Sequence, residues 1–148
     1  MKPTNSFSLT MLSKSANESF ARSAVTAFIT QLDPTLEEIS DIKTAVSEAV
    51  TNCIVHGYKN TIGKIYITAQ IYSDNTVLIK VRDNGCGIEN VEKAMEPLFT
   101  TAGGERAGLG FAVMESFMDS LKVKSVVGKG TAVTMKKKIS IRVNSYGK

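Results

Sequence analysis

The chain has 148 residues with 18 basic and 14 acidic side chains, a net charge of +4 at pH 7 and 43% hydrophobic residues. This length and composition predict one globular domain with its own core and exclude a disordered or Pro-rich chain. No apolar run approaches the ~20 residues of a spanning helix, and the start of the chain lacks a signal peptide's apolar block. Cys53 and Cys86 have no metal-binding or disulfide spacing, so we expect a soluble cytoplasmic protein with reduced thiols. The run from Lys136 to Lys138 closes a strand-like segment and is interpreted as solvating it, so neither direct nucleic-acid binding nor membrane binding is expected.

The first third of the chain predicts a strand followed by two helices. Residues Ser6 to Met11 alternate polar and apolar, which is the pattern of a strand with one buried face. The segments Ser15–Glu18 and Thr35–Glu38 each match a capping box that starts a helix. Asp33-Pro34 ends the first helix, because proline disfavours helical geometry in the residue before it. The second helix is expected to run to about Tyr58.

The apolar residues of both helices recur at helical spacing and so predict their core faces. On the first helix these are Phe20, Ala24, Phe28 and Leu32, with Ala21 and Val25 beside them. On the second helix they are Ile39, Ile42, Val46, Ala49 and Cys53.

The rest of the chain predicts two hairpins separated by a glycine-rich loop and a helix. Strands over 65–71 and 77–81 form the first hairpin, and strands over 121–127 and 131–135 form the second. Between them, residues 83–110 contain six glycines and a short helical stretch near 91–95, and a helix follows over 110–119. We therefore predict an α+β fold, a two-layer sandwich in which about three helices cover one face of a mainly antiparallel sheet.

Three polar residues of the second helix lie on one stripe. Glu48, Asn52 and His56 are spaced at i, i+4 and i+8, and Ala45 and Val55 lie on the same side of the helix. A carboxylate and a carboxamide one turn apart suit a general base beside an oxygen ligand for magnesium, whereas a plain solvated face is the alternative. His56 has no partner for a triad, so a cation or cap at the helix C-terminus is expected of it.

Two glycine motifs flank the central loop. In the first, Asp83 ends a strand and is followed by Gly85 and Gly87. The glycines would let the backbone approach a flat ligand whose hydrogen bonds the carboxylate accepts. The alternative is a plain turn. In the second, Gly108-Leu109-Gly110 precedes the start of a helix, where free N–H groups attract phosphate. Arg106 lies nearby in the sequence and could add positive charge. The alternative for this motif is a flexible hinge. Cys86 is interpreted as a packing residue.

Four boxes in chain order resemble those of the GHKL ATPase superfamily, which includes gyrase and the histidine kinases. They are Glu48–Asn52, Asp83-x-Gly85-x-Gly87, Gly108-Leu109-Gly110 and Gly128-x-Gly130-Thr131. Within it, the chain is most similar to the bacterial sporulation anti-sigma-F factors, from Phe7 to Met135. The segments that carry this narrower resemblance are Asn17–Arg22, Gln31–Thr35, Val46–Asn52, His56–Tyr58, Pro97–Thr101 and Met114–Asp119.

The resemblance implies a role for each matching residue. Glu48 corresponds to the general base, Asn52 to the ligand of a magnesium ion held by the phosphates, and Asp83 to the acceptor for the adenine amino group. Arg22 corresponds to an arginine that contacts protein partners. The remaining ATP-binding positions implied are Gly85, Gly87, Thr100, Thr101, Arg106, Gly108, Leu109, Gly110 and Thr131, with an ATP lid over about residues 89–107.

The resemblance also implies a single kinase and anti-sigma domain over residues 1–148. Such a protein binds ATP or ADP with Mg²⁺, forms a homodimer, holds the sporulation sigma-F factor inactive and phosphorylates an anti-anti-sigma factor on serine. Two alternatives remain open at this point: an isolated histidine-kinase-type catalytic domain, and a sigma-sequestering module without kinase activity. The carboxylate of Glu48 suits activation of a hydroxyl, which argues against the histidine-kinase-type domain. The presence of Glu48, Asn52 and Asp83 argues against a module without kinase activity.

Overall fold

The computed structural model describes residues 1–96 and 110–141. One antiparallel sheet contains five strands in the order β1-β2-β3-β5-β4: β1 (Asn5–Leu12), β2 (Lys64–Ile71), β3 (Thr76–Asp83), β4 (Ser120–Val126) and β5 (Gly130–Lys138). The helices are α1 (Ala16–Ile29), α2 (Leu36–Asn52), α3 (Val91–Ala94) and α4 (Phe111–Phe117). A 3₁₀ turn (Thr30–Leu32) follows α1, and a π-helical segment (Cys53–Gly57) follows α2. The predicted α+β sandwich and its element order are confirmed. Within the described residues, no helix has both the length and the apolar character needed to cross a bilayer.

The core lies between the sheet and the helices. Alternate residues of β2 and β3 are buried, so one face of the sheet is apolar and the other is polar. Large side chains from both layers fill the space between them without exposure, among them Ile29, Ile42, Ile67, Ile79, Phe111, Met114 and Met135. In this layer α2 packs against β3, and α4 packs against α2 and β4.

The buried stripe of α1 lies one residue from the predicted stripe that contains Phe20, and it includes Ala21 and Val25 as predicted. The buried residues are Ala21, Val25 and Ile29, whereas Phe20 is 55% exposed. Successive residues are only 100° apart around a helix, so two adjacent stripes have nearly the same apolar spacing and periodicity alone does not choose between them. Phe28 lies at the edge of the core, where its ring meets that of Phe7 edge to face with centroids 4.8 Å apart.

The two predicted capping boxes have different outcomes. Thr35 is extended, its hydroxyl accepts from the Glu38 N–H at 3.1 Å, and the Glu38 carboxylate accepts from the Thr35 N–H at 2.8 Å, so this box is confirmed. Ser15 adopts helical angles and makes no side-chain cap, so the first box is wrong. Glu18 instead pairs with Arg22 one turn later, at 2.9 Å. As predicted, α1 stops before Pro34: after the 3₁₀ turn, Asp33 takes left-handed angles.

The stability of the fold should depend on pH through Glu38. Partial burial raises the pKa of this carboxyl, but hydrogen bonds from the N–H groups of Thr35 and Ser140 outweigh burial and lower the pKa below 4.5. The folded-state pKa lies below the unfolded one, so the stabilisation is complete above about pH 5 and is lost as pH falls through the folded value. We expect Glu38→Gln to flatten the loss of unfolding free energy between about pH 5 and 3, measured by urea unfolding. Glu37→Gln, in the same helical turn, is the control and should follow the wild-type pH profile.

Candidate active site

Asp83 is the buried carboxylate at the centre of the site. It is the last residue of β3, is 5% exposed, and lies between Ile65 of β2 and Thr131 of β5 in the sheet register. Its Oδ1 accepts from the N–H of Gly85 at 2.8 Å. Burial of a carboxylate is unfavourable unless hydrogen bonds replace those to water. The Gly85 N–H supplies one such bond, so the loop after β3 stabilises the buried Asp83 side chain.

Three glycines let separate backbone segments converge on Asp83. A Cβ on Gly57 would lie 3.0 Å from Oδ2 of Asp83, and one on Gly130 would lie 2.1 Å from the Asp83 carbonyl oxygen. A Cβ on Gly85 would lie 2.2 Å from the carbonyl oxygen of Gly57. The contacts at Gly85 and Gly130 exclude a side chain and the one at Gly57 leaves little room for it, so the end of α2, the loop after β3 and the start of β5 approach one another closely.

The end of α2 is widened and bonded to the loop after β3. The helix continues past Asn52 as one π-helical turn, a feature that often occurs at functional sites. Its Gly57 carbonyl accepts from the Cys86 N–H at 2.9 Å, and its His56 carbonyl accepts from the Cys86 thiol at 3.1 Å. Cys86 is exposed, so its interpretation as a packing residue is wrong.

The His56 side chain lies in the π-helical segment at the end of α2. The imidazole is only partly covered, and this partial burial, aided by repulsion from Lys59, lowers its pKa. A lowered pKa disfavours the charged form, which argues against the cation expected at this helix end, whereas the alternative role as a cap stays a prediction. The π-helical turn also ends the regular spacing that would have kept His56 on one stripe with Glu48 and Asn52.

Cys53 is a contact of Asp83 that the sequence did not reveal. The thiol is 4% exposed; burial, the charge of Asp83 and a hydrogen bond to that carboxylate raise its pKa far above the usual range. The neutral thiol therefore stays protonated and donates to Asp83. Helical periodicity predicted a core position for Cys53 but carries no signal for a partner on β3.

Tyr58 is a second residue that sequence reasoning missed. Its hydroxyl donates to the Lys64 carbonyl and accepts from the Asn84 N–H at 2.8 Å, which ties the loop after β3 to the start of β2. Burial of the ring raises the pKa of the phenol, so it remains a donor at physiological pH. Gly63 accommodates the ring, since a Cβ there would lie 2.1 Å from a carbon of it.

Glu48 faces the start of α4. Its side chain is half-buried, and a Cβ on Gly110 would lie 2.4 Å from its Oε2. Gly110 has a φ of 72°, so both its conformation and the adjoining carboxylate favour glycine. Asn52 follows one turn later and is half-buried. Cys53, which contacts Asp83, follows Glu48 by five positions, so Glu48 and Cys53 are roughly 7.5 Å apart along the helix axis.

Comparison with known proteins identifies the family. Residues 12–137 match the histidine kinase-like ATPase domain. An anti-sigma F factor of Thermoanaerobacter sp. (strain X514) is 64% identical over 140 residues, which are 94% of this chain and 97% of that protein. An anti-sigma F factor of Clostridium acetobutylicum is 58% identical over 93% of this chain and 96% of that protein. The chain belongs to the anti-sigma F factor family.

Solved structures agree on the fold of this anti-sigma F factor family member. The RsbU and RsbW domains of Rv1364c from Mycobacterium tuberculosis superpose with a TM-score of 0.70 at 22% identity, over 96% of this chain and 34% of that longer one. The histidine kinase domain of the Erythrobacter litoralis EL346 blue-light activated histidine kinase gives a TM-score of 0.58 at 18% identity, over 82% of this chain and 60% of that one. The ATPase domain implies a nucleotide site in this chain.

The last hairpin contacts the loop that follows β3. Thr131 shares a hydrogen bond of 2.8 Å with Ser125, whose hydroxyl also accepts from the Ile88 N–H at 2.7 Å. Gly87 has a φ of 77°, and a Cβ there would lie 2.4 Å from the Val126 carbonyl oxygen. The loop that contains Gly85 and Gly87 is thus held between the end of α2 and the β4–β5 turn.

Several predicted positions of this family member fall elsewhere. Thr100, Thr101, Arg106, Gly108 and Leu109 lie outside the described residues, as does most of the predicted lid over 89–107. Arg22 lies on α1, where its guanidinium contacts Glu18 at 2.9 Å and the Ser47 hydroxyl at 3.4 Å. Arg22 therefore bridges α1 and α2, whereas its position on the polar face of α1 alone predicted a side chain surrounded by solvent.

A magnesium ion bound by this anti-sigma F factor relative would be coordinated mainly by nucleotide phosphates and water. Over 1–96 and 110–141, no group of three or more His, Cys, Asp or Glu could hold a metal ion. Mg²⁺ characteristically binds through one or two protein oxygens together with substrate phosphates and waters. The Asn52 side chain, a half-buried amide one turn from Glu48, fits that limited role.

Proposed function

We propose that this protein is an ATP-dependent serine kinase and an anti-sigma factor that inhibits the sporulation sigma-F factor. Its kinase substrate would be the anti-anti-sigma factor that antagonises this inhibition. The identity of 58–64% to anti-sigma F factors over nearly the whole chain supports the sigma-factor role. The observation that supports the kinase role is the placement of two acidic residues around α2: Glu48 lies beside Gly110 at the start of α4, and Cys53 lies against Asp83 at the end of β3.

The residues of the cleft divide between recognition and proton transfer. Asp83 would accept a hydrogen bond from the adenine amino group, since it is buried and already oriented by Gly85 and Cys53. Glu48 would take the proton of the attacking serine hydroxyl as a general base. Bound magnesium nucleotide would supply the phosphoryl group, with its charge offset by the ion. Asn52 would hold the ion, and the segment over 89–107 would act as the lid.

Positions at the phosphate end complete the proposal. Gly108, Leu109 and Gly110 would contact the phosphates at the start of α4, with Arg106, Thr100 and Thr101 beside them. Gly87 and Thr131 would shape the adenine end. Protein partners would be contacted through Arg22, and the protein would act as a homodimer in the cytoplasm.

A single labelling experiment separates this proposal from its alternatives. Purified protein would be incubated with γ-labelled ATP, magnesium and each partner in turn. Acid-stable label on a serine of the anti-anti-sigma factor is expected. Acid-labile label on a histidine would instead indicate a histidine-kinase-type catalytic domain. No transferred label, together with intact capture of the sigma factor, would indicate a sequestering module without kinase activity.

Arg22→Glu should weaken capture of the sigma factor while leaving ATP affinity unchanged. The reversed charge lies beside Glu18, so it breaks the ion pair at 2.9 Å and repels any acidic partner surface. We expect at least about tenfold weaker binding, measured by surface plasmon resonance with immobilised sigma factor. Lys43→Glu, at an exposed position of α2, makes the same charge change as a control. Equal effects of both substitutions would remove Arg22 from the partner interface.

A further inference from the structure

The face of the sheet turned away from the helices is strongly basic. The alternation of each strand points seven basic side chains to this face: Lys64, Lys80, Arg82, Lys122, Lys124, Lys136 and Lys138. The five strands contain one acidic residue, Asp83, and it is buried on the opposite, helix-covered face. Acidic residues of α1 and α2 also lie in the helical layer, so charge is separated between the two sides of the molecule.

A groove runs along the centre of this basic face. On β5 the outward residues Ala132 and Thr134 are short, whereas their cross-strand neighbours are long. Lys80 and Lys122 flank Thr134 in the sheet register, so their backbones are about 10 Å apart, two strand spacings. The groove has a volume of about 560 Å³, and its lining also includes Leu78, Lys124 and Lys136.

The lysines of the groove have no local acidic partner. Arg82 is engaged, with its guanidinium 4.1 Å from the centre of the Tyr66 ring and bonded to Asn84 at 2.9 Å. In contrast, Lys80, Lys122, Lys124 and Lys136 form no salt bridge with the described part of the chain, whose ion pairs involve Arg22 and Lys137. Four ammonium groups around one groove repel each other, and an acidic occupant would relieve that repulsion.

We propose that this groove docks an acidic amphipathic segment of a protein partner. The floor formed by Leu78 and Ala132, together with the aliphatic stems of the lysines, suits apolar side chains, and the ammonium groups at the rim suit carboxylates. Nucleic acid fits less well: no aromatic side chain lines the groove for base stacking, and a phosphate backbone has no apolar group for the floor. The groove lies on the opposite side of the sheet from Glu48, so docking there does not depend on the proposed kinase function.

The test uses a fluorescein-labelled helical peptide with glutamates on one stripe and leucines on the other, followed by fluorescence anisotropy. The groove variant is Lys80→Glu with Lys122→Glu, and the matched control is Lys14→Glu with Lys43→Glu, two exposed positions off this face. Both variants carry two charge reversals. We expect the wild type and control to bind alike, and the groove variant to bind at least about tenfold more weakly. Raising the salt concentration should weaken wild-type binding.

Other outcomes would overturn the proposal. If both variants lost peptide affinity equally, the net charge of the protein, and not the groove, would account for binding. Undiminished binding of a peptide with serine in place of leucine would mean that the apolar floor has no role. Tighter binding of random-sequence duplex DNA than of the peptide would assign the face to nucleic acid. Circular dichroism verifies the fold of each variant. If the first groove variant unfolds, the double substitution Lys122→Gln with Lys124→Gln on the edge strand β4 replaces it.

Discussion

Glu48→Gln is expected to bind magnesium ATP with near wild-type affinity and to transfer phosphate at least ~100-fold more slowly, the lower end of a general base's contribution. The substitution keeps the shape of the side chain against Gly110, where a Cβ would lie only 2.4 Å from Oε2, so the start of α4 should be undisturbed. What it removes is the proton acceptor. Single-turnover phosphotransfer to the anti-anti-sigma protein, with calorimetry for nucleotide binding, measures the two effects separately.

Glu115→Gln is the matched control for this result. Glu115 is an exposed glutamate of α4, and its loss should leave both phosphotransfer and ATP binding unchanged. Near-normal turnover by Glu48→Gln would remove Glu48 from the mechanism. If ATP binding fell as steeply as turnover, Glu48 would belong to the binding site rather than to proton transfer.

Asp83→Asn should reduce nucleotide affinity at least about tenfold, because a hydrogen bond to a charged group contributes roughly 1.5–3 kcal/mol. The asparagine can still accept from the Gly85 N–H, now 2.8 Å from Oδ1, so the loop after β3 should keep its conformation. Its amide group, however, replaces a carboxylate oxygen that would accept from adenine. Titration with a fluorescent ATP analogue measures the loss.

The control for Asp83 is Asp74→Asn in the β2–β3 turn, where the side chain accepts from the Thr76 N–H and an asparagine can do the same. Unchanged affinity in Asp83→Asn would contradict adenine recognition by this residue. Unfolding by urea, followed in parallel, distinguishes lost affinity from lost structure, since the buried pair of Asp83 and Cys53 also contributes to the stability of the fold.

Much of the fold could be predicted because its signals are local. Alternation identified the strands, and the Thr35 box with the Asp33-Pro34 stop identified the boundary between the first two helices. Errors arose where two local solutions were nearly equivalent. Ser15 has the residue pattern of a cap but adopts helical angles, and the apolar stripe that contains Phe20 lies one residue from the buried one. Only the position of the sheet and of α2 distinguishes between such alternatives.

The candidate site divides in the same way. Residue types and spacing identified Glu48, Asn52, Asp83 and the glycines as candidates, because short motifs specify which chemical groups and which backbone freedom are available; their roles stay predictions. Their surroundings were not predictable. Cys53 is a hydrogen-bond donor to Asp83 only because the π-helical end of α2 brings a core thiol against the end of β3.

The amino-acid sequence by itself therefore determined the order of the elements, the chemical groups of the site and the family to which the chain belongs. The tertiary structure alone decided which helix face is buried, that Tyr58 anchors the loop after β3, and that basic side chains collect on one side of the sheet. The reason is physical. Helical and strand periods are set by neighbours along the chain, whereas contacts between α2, β3 and β5 depend on how whole elements pack, which no short segment encodes.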